Sequence, residues 1–208
     1  SSFVGATYGT YRLAYNQFED DVYVTTSDDT VLRINATSRT EYTSYSITGL
    51  QHTMIYEPVG SSIYVMGSTL NQINNNTVTA IVSISSGLFS DILYDNINQE
   101  IIISRDSYFG SVGLDNSLIY NLGSLEYGQL IMNQYDERIY MASQTSSEVI
   151  IIDPLSGNVK NTIILPASAS KLTYNPLRRS IWGILPSINQ IVEILVELSI
   201  FIVVYPPS

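Results

Sequence analysis

Apolar residues in this chain fall in short runs, most of them three to five residues long, that alternate with polar neighbours and recur at regular intervals. Five such runs open five units: Leu13-Ala14-Tyr15-Asn16, Met54-Ile55-Tyr56-Glu57, Ile92-Leu93-Tyr94-Asp95, Leu130-Ile131-Met132-Asn133 and Leu172-Thr173-Tyr174-Asn175. A second run follows each one: Val22-Tyr23-Val24, Ile63-Tyr64-Val65, Ile101-Ile102-Ile103, Ile139-Tyr140-Met141 and Ile181-Trp182-Gly183. The step from Tyr15 to Val22 is seven residues, and it is seven again from Tyr56 to Ile63, Tyr94 to Ile101, Met132 to Ile139 and Tyr174 to Ile181. The residues in between vary but are turn formers. Runs of this length with a period of two predict β-strands, and two strands joined by a short polar loop predict a hairpin.

Two further runs complete each unit. Val31-Leu32-Arg33-Ile34-Asn35 and Val149-Ile150-Ile151-Ile152-Asp153 are third strands by this pattern. Fourth strands are expected at Tyr45-Ser46-Ile47, Ala80 to Ile84, Leu118-Ile119-Tyr120 and Thr162 to Leu165. The units start 38 to 42 residues apart, and no stretch sustains the helical period of 3.6. A single four-stranded meander cannot bury both of its faces, so the units must pack on one another. The pattern predicts an all-β, five-bladed β-propeller with four antiparallel strands per blade. The blades are expected at 9–49, 50–87, 88–126, 127–168 and 169–205 of a single domain, with each first strand lining the centre.

The same residues resemble the YVTN family of β-propeller repeats, known from archaeal surface-layer proteins. The resemblance is clearest in Arg138-Ile139-Tyr140-Met141-Ala142, Glu148 to Asp153, Gly157-Asn158-Val159 and Thr162 to Pro166, and again in Asp21 to Thr25. The third unit lacks the Tyr-Val pair, and the fifth has Trp182-Gly183 in its place. What the resemblance implies is the propeller fold and a surface setting; propellers host many activities, so it implies no reaction. Phe3-Val4 reads as the end of a fourth strand, either closing the ring or left from a preceding blade. Pro206-Pro207 reads as the start of a linker, which suggests a longer polypeptide.

Composition narrows the partners. The 208 residues carry a net charge of −10, with only 13% charged side chains and 16 tyrosines. So acidic a chain repels phosphate backbones and anionic membranes, which argues against nucleic acid as a partner. The absence of cysteine excludes disulfides, thiolate zinc sites and cysteine nucleophiles. The most apolar stretch, Ile194 to Val204, is broken by Glu197 and Ser199 and is too short to span a bilayer as a helix, so no membrane span is expected.

Few residues suggest catalysis. His52 is the only histidine, and no Ser-His-Asp set or nucleophile elbow can be drawn. The first strands end on Asn16, Glu57, Asp95, Asn133 and Asn175. If these faced a common axis, Glu57 and Asp95 could help hold a calcium ion for a propeller hydrolase or lyase. The plainer reading is that all five begin polar turns. Glu19-Asp20-Asp21 and Asp28-Asp29 are read as turns too, and so are Asn35, Asp115 and Asp153 at third-strand ends. Two glycosylation sequons, Asn35-Ala36-Thr37 and Asn75-Asn76-Thr77, fall in expected turns between third and fourth strands.

The expectation is therefore a non-catalytic module without a cofactor, used for adhesion or assembly outside the cell, at a cell or virion surface. Its partner would be a protein, a glycan or another copy of itself, engaged by the loops that join first to second strands. Gln17, Asp20, Pro58, Asn96, Gln134 and Arg178 represent that loop face. Tyrosines among few charges suit polar recognition of this kind.

Overall fold

The computed structural model describes residues 10–50, 53–83, 90–105, 108–115, 118–121, 129–143, 146–196 and 201–205. They form five four-stranded antiparallel sheets, each with its strands in chain order. The first contains β1 (Thr10–Asn16), β2 (Asp21–Thr26), β3 (Thr30–Asn35) and β4 (Glu41–Ser46). The second contains β5 (Thr53–Glu57), β6 (Ser62–Met66), β7 (Thr69–Asn74) and β8 (Thr77–Ser83). The third contains β9 (Ser90–Asp95), β10 (Glu100–Arg105), β11 (Tyr108–Gly113) and β12 (Leu118–Asn121). The fourth contains β13 (Leu130–Asn133), β14 (Arg138–Ala142), β15 (Glu148–Ile152) and β16 (Val159–Ile164). The fifth contains β17 (Lys171–Asn175), β18 (Ser180–Leu185), β19 (Gln190–Leu195) and β20 (Phe201–Tyr205), with a 3-10 turn at Pro186–Ile188. The five expected repeat units correspond to these five sheets. The chain divides into two compact units, 1–86 and 87–208.

The constant step of seven is a matter of register. In every sheet the last residue of the first strand pairs with the first residue of the second: Asn16 with Asp21, Glu57 with Ser62, Asp95 with Glu100, Asn133 with Arg138 and Asn175 with Ser180. Four loop residues separate each pair. The fourth has a left-handed φ in all five loops: Asp20 at 56°, Ser61 at 54°, Gln99 at 57°, Glu137 at 56° and Arg179 at 51°. Holding that geometry keeps the two strands in one register, whatever the loop sequence.

In unit 1–86 the first two sheets pack on each other through Ala14, Tyr23, Val31, Tyr45, Met54, Ile63 and Val65. In unit 87–208, Ile102 and Phe109 of the third sheet meet Leu130, Met132 and Ile139 of the fourth. The opposite face of the fourth, with Tyr140, Ala142, Val149 and Ile151, meets Leu172, Ile181, Val192 and Ile194 of the fifth. At roughly 1.5–3 kcal/mol for each buried aliphatic or aromatic side chain, these layers are the main stabilising contribution.

The fourth strands depart from expectation. β8 covers 77–83 and so starts before Ala80, with Ile84 outside the described residues; β16 covers 159–164 rather than 162–165, and β4 covers 41–46 and omits Ile47. Most residues of β8 and β16 are exposed, so an apolar run marks only part of each. Ile47 leaves the ladder because its N–H donates to the Asp29 carbonyl at 2.8 Å. The pairing of third and fourth strands slips by a bulge in the first four sheets, which twists the edge strand away from further pairing. Phe3-Val4, His52, Asp106, the stretch 197–200 and Pro206-Pro207 lie outside the described residues.

Candidate functional site

The five loops that join first to second strands share one construction. The residue ending each first strand turns its side chain back to accept the N–H groups of the second and third loop residues, or of the second alone. Asn16 Oδ1 accepts from Phe18 at 3.0 Å and Glu19 at 3.3 Å. Glu57 accepts from Val59 and, at 2.9 and 3.0 Å, from Gly60. Asp95 Oδ1 accepts from Ile97 at 2.9 Å and Asn98 at 3.2 Å. Asn133 Oδ1 accepts from Tyr135 at 3.0 Å, and Asn175 Oδ1 from Leu177 at 3.1 Å and Arg178 at 3.2 Å. Each bond contributes about 1 kcal/mol and fixes the loop before anything binds. Gly60 leaves room for the larger Glu57: a Cβ there would lie 2.9 Å from Oε2, and the carboxylate would have to shift.

This construction accounts for the carboxylates that suggested calcium. Glu57 and Asp95 are buried, with their oxygens directed at their own loops' amides. Asp95 Oδ2 also accepts from the Asn98 side chain at 2.7 Å. Among the described residues no three acidic or histidine side chains converge. This donor set does not fit a calcium site. The Glu19-Asp20-Asp21 run is committed as well. Glu19 and Asp21 pair with Arg33 at 2.8 and 2.6 Å, while Tyr15 and Thr37 donate to Asp20 at 2.8 and 2.5 Å and hold its carboxyl below the usual range. Asp29 anchors Gly49 and Leu50 by their N–H groups, and Asp153 caps its own turn and pairs with Lys160 at 2.9 Å.

The loops also share what they present. The second loop residue is a large apolar side chain in all five, and in all five it is exposed: Phe18 by 71%, Val59 by 62%, Ile97 by 43%, Tyr135 by 47% and Leu177 by 94%. Its N–H is the one captured by the capping side chain, so the apolar group is held outward by a rigid loop. Leaving such groups in water five times over has no benefit to folding. The polar loop residues singled out from the sequence surround these groups. Gln17, Asn96, Gln134 and Arg178 are exposed, and Asp20 and Pro58 are half-buried. The apolar second position was missed, although it stands three residues after the penultimate residue of every first strand.

Neighbouring loops are joined within each unit. Ser61 Oγ donates to Asn16 Oδ1 at 3.3 Å. In unit 87–208 the Arg179 guanidinium lies 4.3 Å from the centre of the Tyr135 ring. A cavity of about 250 Å³ runs between the third and fourth sheets' loops, lined by Ile97, Asn98, Asp136, Glu137, Arg138, Asp153, Pro154, Leu155 and Lys160. Burial pushes the Asp136 carboxyl above the usual range, although Tyr140 donates to it at 2.7 Å. Arg178 is exposed but engaged, pairing with buried Glu193 at 3.3 Å and lying 6.0 Å from the Trp182 ring.

A larger cavity, about 640 Å³, lies on the fifth sheet against Lys171, Thr173, Asn175, Trp182, Ile184 and Ile191. Trp182, Ile184 and Ile191 match Tyr140, Ala142 and Val149 of the fourth sheet, which are buried under a neighbouring sheet. Its wall therefore has the character of a sheet-packing face, and the loop ends remain the better candidate site.

No family profile matches the chain, and no curated protein does. Solved structures share its fold. Virginiamycin B lyase from Staphylococcus aureus is 12% identical with a TM-score of 0.77, over 96% of this chain and 71% of that one. A streptogramin B lyase is 14% identical at 0.75, over 96% and 70%. The β-propeller domain of Cps50 (Swd1) from Myceliophteria thermophila is 6% identical at 0.76, over 96% and 73%. At these identities the likeness shows the fold alone: the chain is a β-propeller protein of five four-stranded sheets. The expectation that it is not an enzyme is corrected by the same finding, since two of these neighbours are lyases and the fold therefore gives no ground for excluding catalysis.

Proposed function

We propose that this chain is a binding module that engages a protein or glycan partner through the loops joining first to second strands, and that it does so outside the cytoplasm. The observation that carries the reading is the exposed apolar residue at the second position of every such loop, Phe18, Val59, Ile97, Tyr135 and Leu177. Each is held by a side-chain cap to the loop backbone, so little conformational freedom is lost on binding. Apolar and aromatic anchors set in a polar rim are the usual source of affinity at a recognition surface. The exposed sequon at Asn75 supports the extracytoplasmic setting.

The test compares the native chain with the triple variant Ile97→Ser/Tyr135→Ser/Leu177→Ser, on a glycan array and on a panel of displayed extracellular proteins. The expected result is saturable binding by the native chain that the variant loses by tenfold or more while keeping its circular dichroism spectrum. Binding that the triple variant retains, or no binding by the native chain on either panel, overturns the reading.

A further inference from the structure

The β7–β8 hairpin turns through two asparagines with left-handed backbones, Asn75 at φ 46° and Asn76 at φ 63°. This is the primed two-residue turn that matches strand twist, and asparagine tolerates it better than most residues. The two side chains have separate roles. Asn76 Oδ1 accepts from Arg33 Nη1 at 2.5 Å and from the Tyr45 hydroxyl at 3.1 Å, which ties the turn to the first sheet. Asn75 is exposed, and among the described residues its side chain has no hydrogen-bond partner. Thr77, the third residue of the sequon, is exposed too.

The other sequon is closed. The Asn35 side chain is half-buried, with Nδ2 directed at buried Asp21 Oδ1 at 3.4 Å and Oδ1 accepting the Ser38 N–H at 2.8 Å. The Thr37 hydroxyl donates to Asp20 at 2.5 Å. Three backbone bonds hold the turn shut: Ala36 N–H to Asp20, Arg39 N–H to Asn35 and Asn35 N–H to Thr40. A glycosyltransferase needs the asparagine carboxamide nitrogen and the threonine hydroxyl together, and here both are hydrogen-bonded to aspartates, Asp21 and Asp20.

We propose that Asn75 is an N-glycan acceptor of the folded chain and that Asn35 is not. The donor is a sugar activated as a phosphate ester, on a lipid pyrophosphate or a nucleotide. The Asn75 carboxamide nitrogen bonds to the anomeric carbon, the bond from that carbon to the phosphate oxygen breaks, and the phosphate leaves with its electron pair. One amide proton passes to a base on the transferase, and nothing is oxidised or reduced. The Asn74 side chain donates to the Gly60 carbonyl at 3.1 Å, so the glycan would stand at the loop end of the second sheet, beside the β5–β6 loop. The inference does not depend on which partner that loop end binds.

The test treats the folded chain with a soluble asparagine glucosyltransferase and UDP-glucose, then reads intact mass and peptide masses. Tryptic peptides holding each sequon, treated in the same way, show that the enzyme accepts both sequences once the fold is gone. The expected product of the folded chain carries one hexose, on Asn75. It should disappear in Asn75→Gln and in Thr77→Ala, which keeps the turn asparagine, and persist in Asn35→Gln. A hexose on Asn35 of the folded chain, or none on Asn75 while its peptide is modified, overturns the proposal.

Discussion

Arg33 reaches from β3 to the β7–β8 turn, where its Nη1 donates to Asn76 Oδ1 at 2.5 Å. Its remaining donors stay in the first sheet, with Nε on Asp21 Oδ2 at 2.7 Å and Nη2 beside Glu19 at 2.8 Å. The guanidinium lies 5.7 Å from the centre of the Tyr23 ring. A buried charge is tolerated here because carboxylates balance it and Asn76 accepts one of its N–H groups. Removing one partner of such a pair costs about 3–5 kcal/mol, whereas a hydrogen bond to a charged group contributes about 1.5–3 kcal/mol. Asp21→Ala should therefore lower the urea midpoint more than Asn76→Ala, with the native circular dichroism spectrum kept in both. Equal or reversed midpoints would show that Asp21 is not the principal counter-ion.

The fourth position of each first loop predicts a second result. Gln99 holds φ at 57° without being glycine. A left-handed backbone costs an ordinary residue about 1–2 kcal/mol, and a β-branched side chain makes it worse. Gln99→Val should lower stability by about 1 kcal/mol or more, while Gln99→Gly should leave it unchanged or slightly raised. Chemical denaturation of the two variants decides the point: equal losses would mean that the loop relaxes out of this conformation.

How far this fold could be read from its sequence depends on what kind of constraint each feature obeys. The step from Tyr15 to Val22 was legible because a four-residue loop with a fixed register imposes it on every unit, here as the pairing of Asn16 with Asp21. Outer strands were legible only in part, since Thr77, Val78 and Thr79 of β8 face water and need no apolar run. Arg33 is a charge inside the run Val31 to Ile34, and its partner Asn76 lies 43 residues away and meets it only through sheet packing, so the pair was not legible in the sequence. Phe18, Val59, Ile97, Tyr135 and Leu177 were overlooked because an apolar residue in a turn has no periodicity. They become visible once the five units are laid over one another. Glu57 and Asp95 share a position for a related reason: that position caps the turn, a role their spacing did not separate from metal binding.

Tyr56 offers a third test. Its hydroxyl is buried in the packing of the first two sheets and has no hydrogen-bond partner among the described residues. A buried polar group left unpaired costs about 1–3 kcal/mol. Tyr56→Phe removes that group and keeps the ring, so it should raise stability by about 1 kcal/mol. Most substitutions of a packed aromatic go the other way. A thermal or urea midpoint below that of the native chain would show that the hydroxyl is satisfied in solution.

Asp136 links the loop surface to pH. Burial raises its carboxyl pKa, and the bonds from the Tyr140 hydroxyl and the Arg138 N–H, at 2.7 and 3.3 Å, offset this only in part. A raised value means that the folded chain holds the proton more tightly than the unfolded chain does. The group therefore favours folding at acid pH, and that contribution is lost as pH rises through the folded value. Asp136→Asn stays neutral at every pH and keeps an oxygen for the Tyr140 hydroxyl. It should be more stable than the native chain at neutral pH, and the gain should fade by about pH 3, below the usual value for an unfolded aspartate. Urea midpoints at the two pH values measure the difference. A variant that is weaker at neutral pH would show that the ionised carboxylate contributes more to this loop than its burial costs.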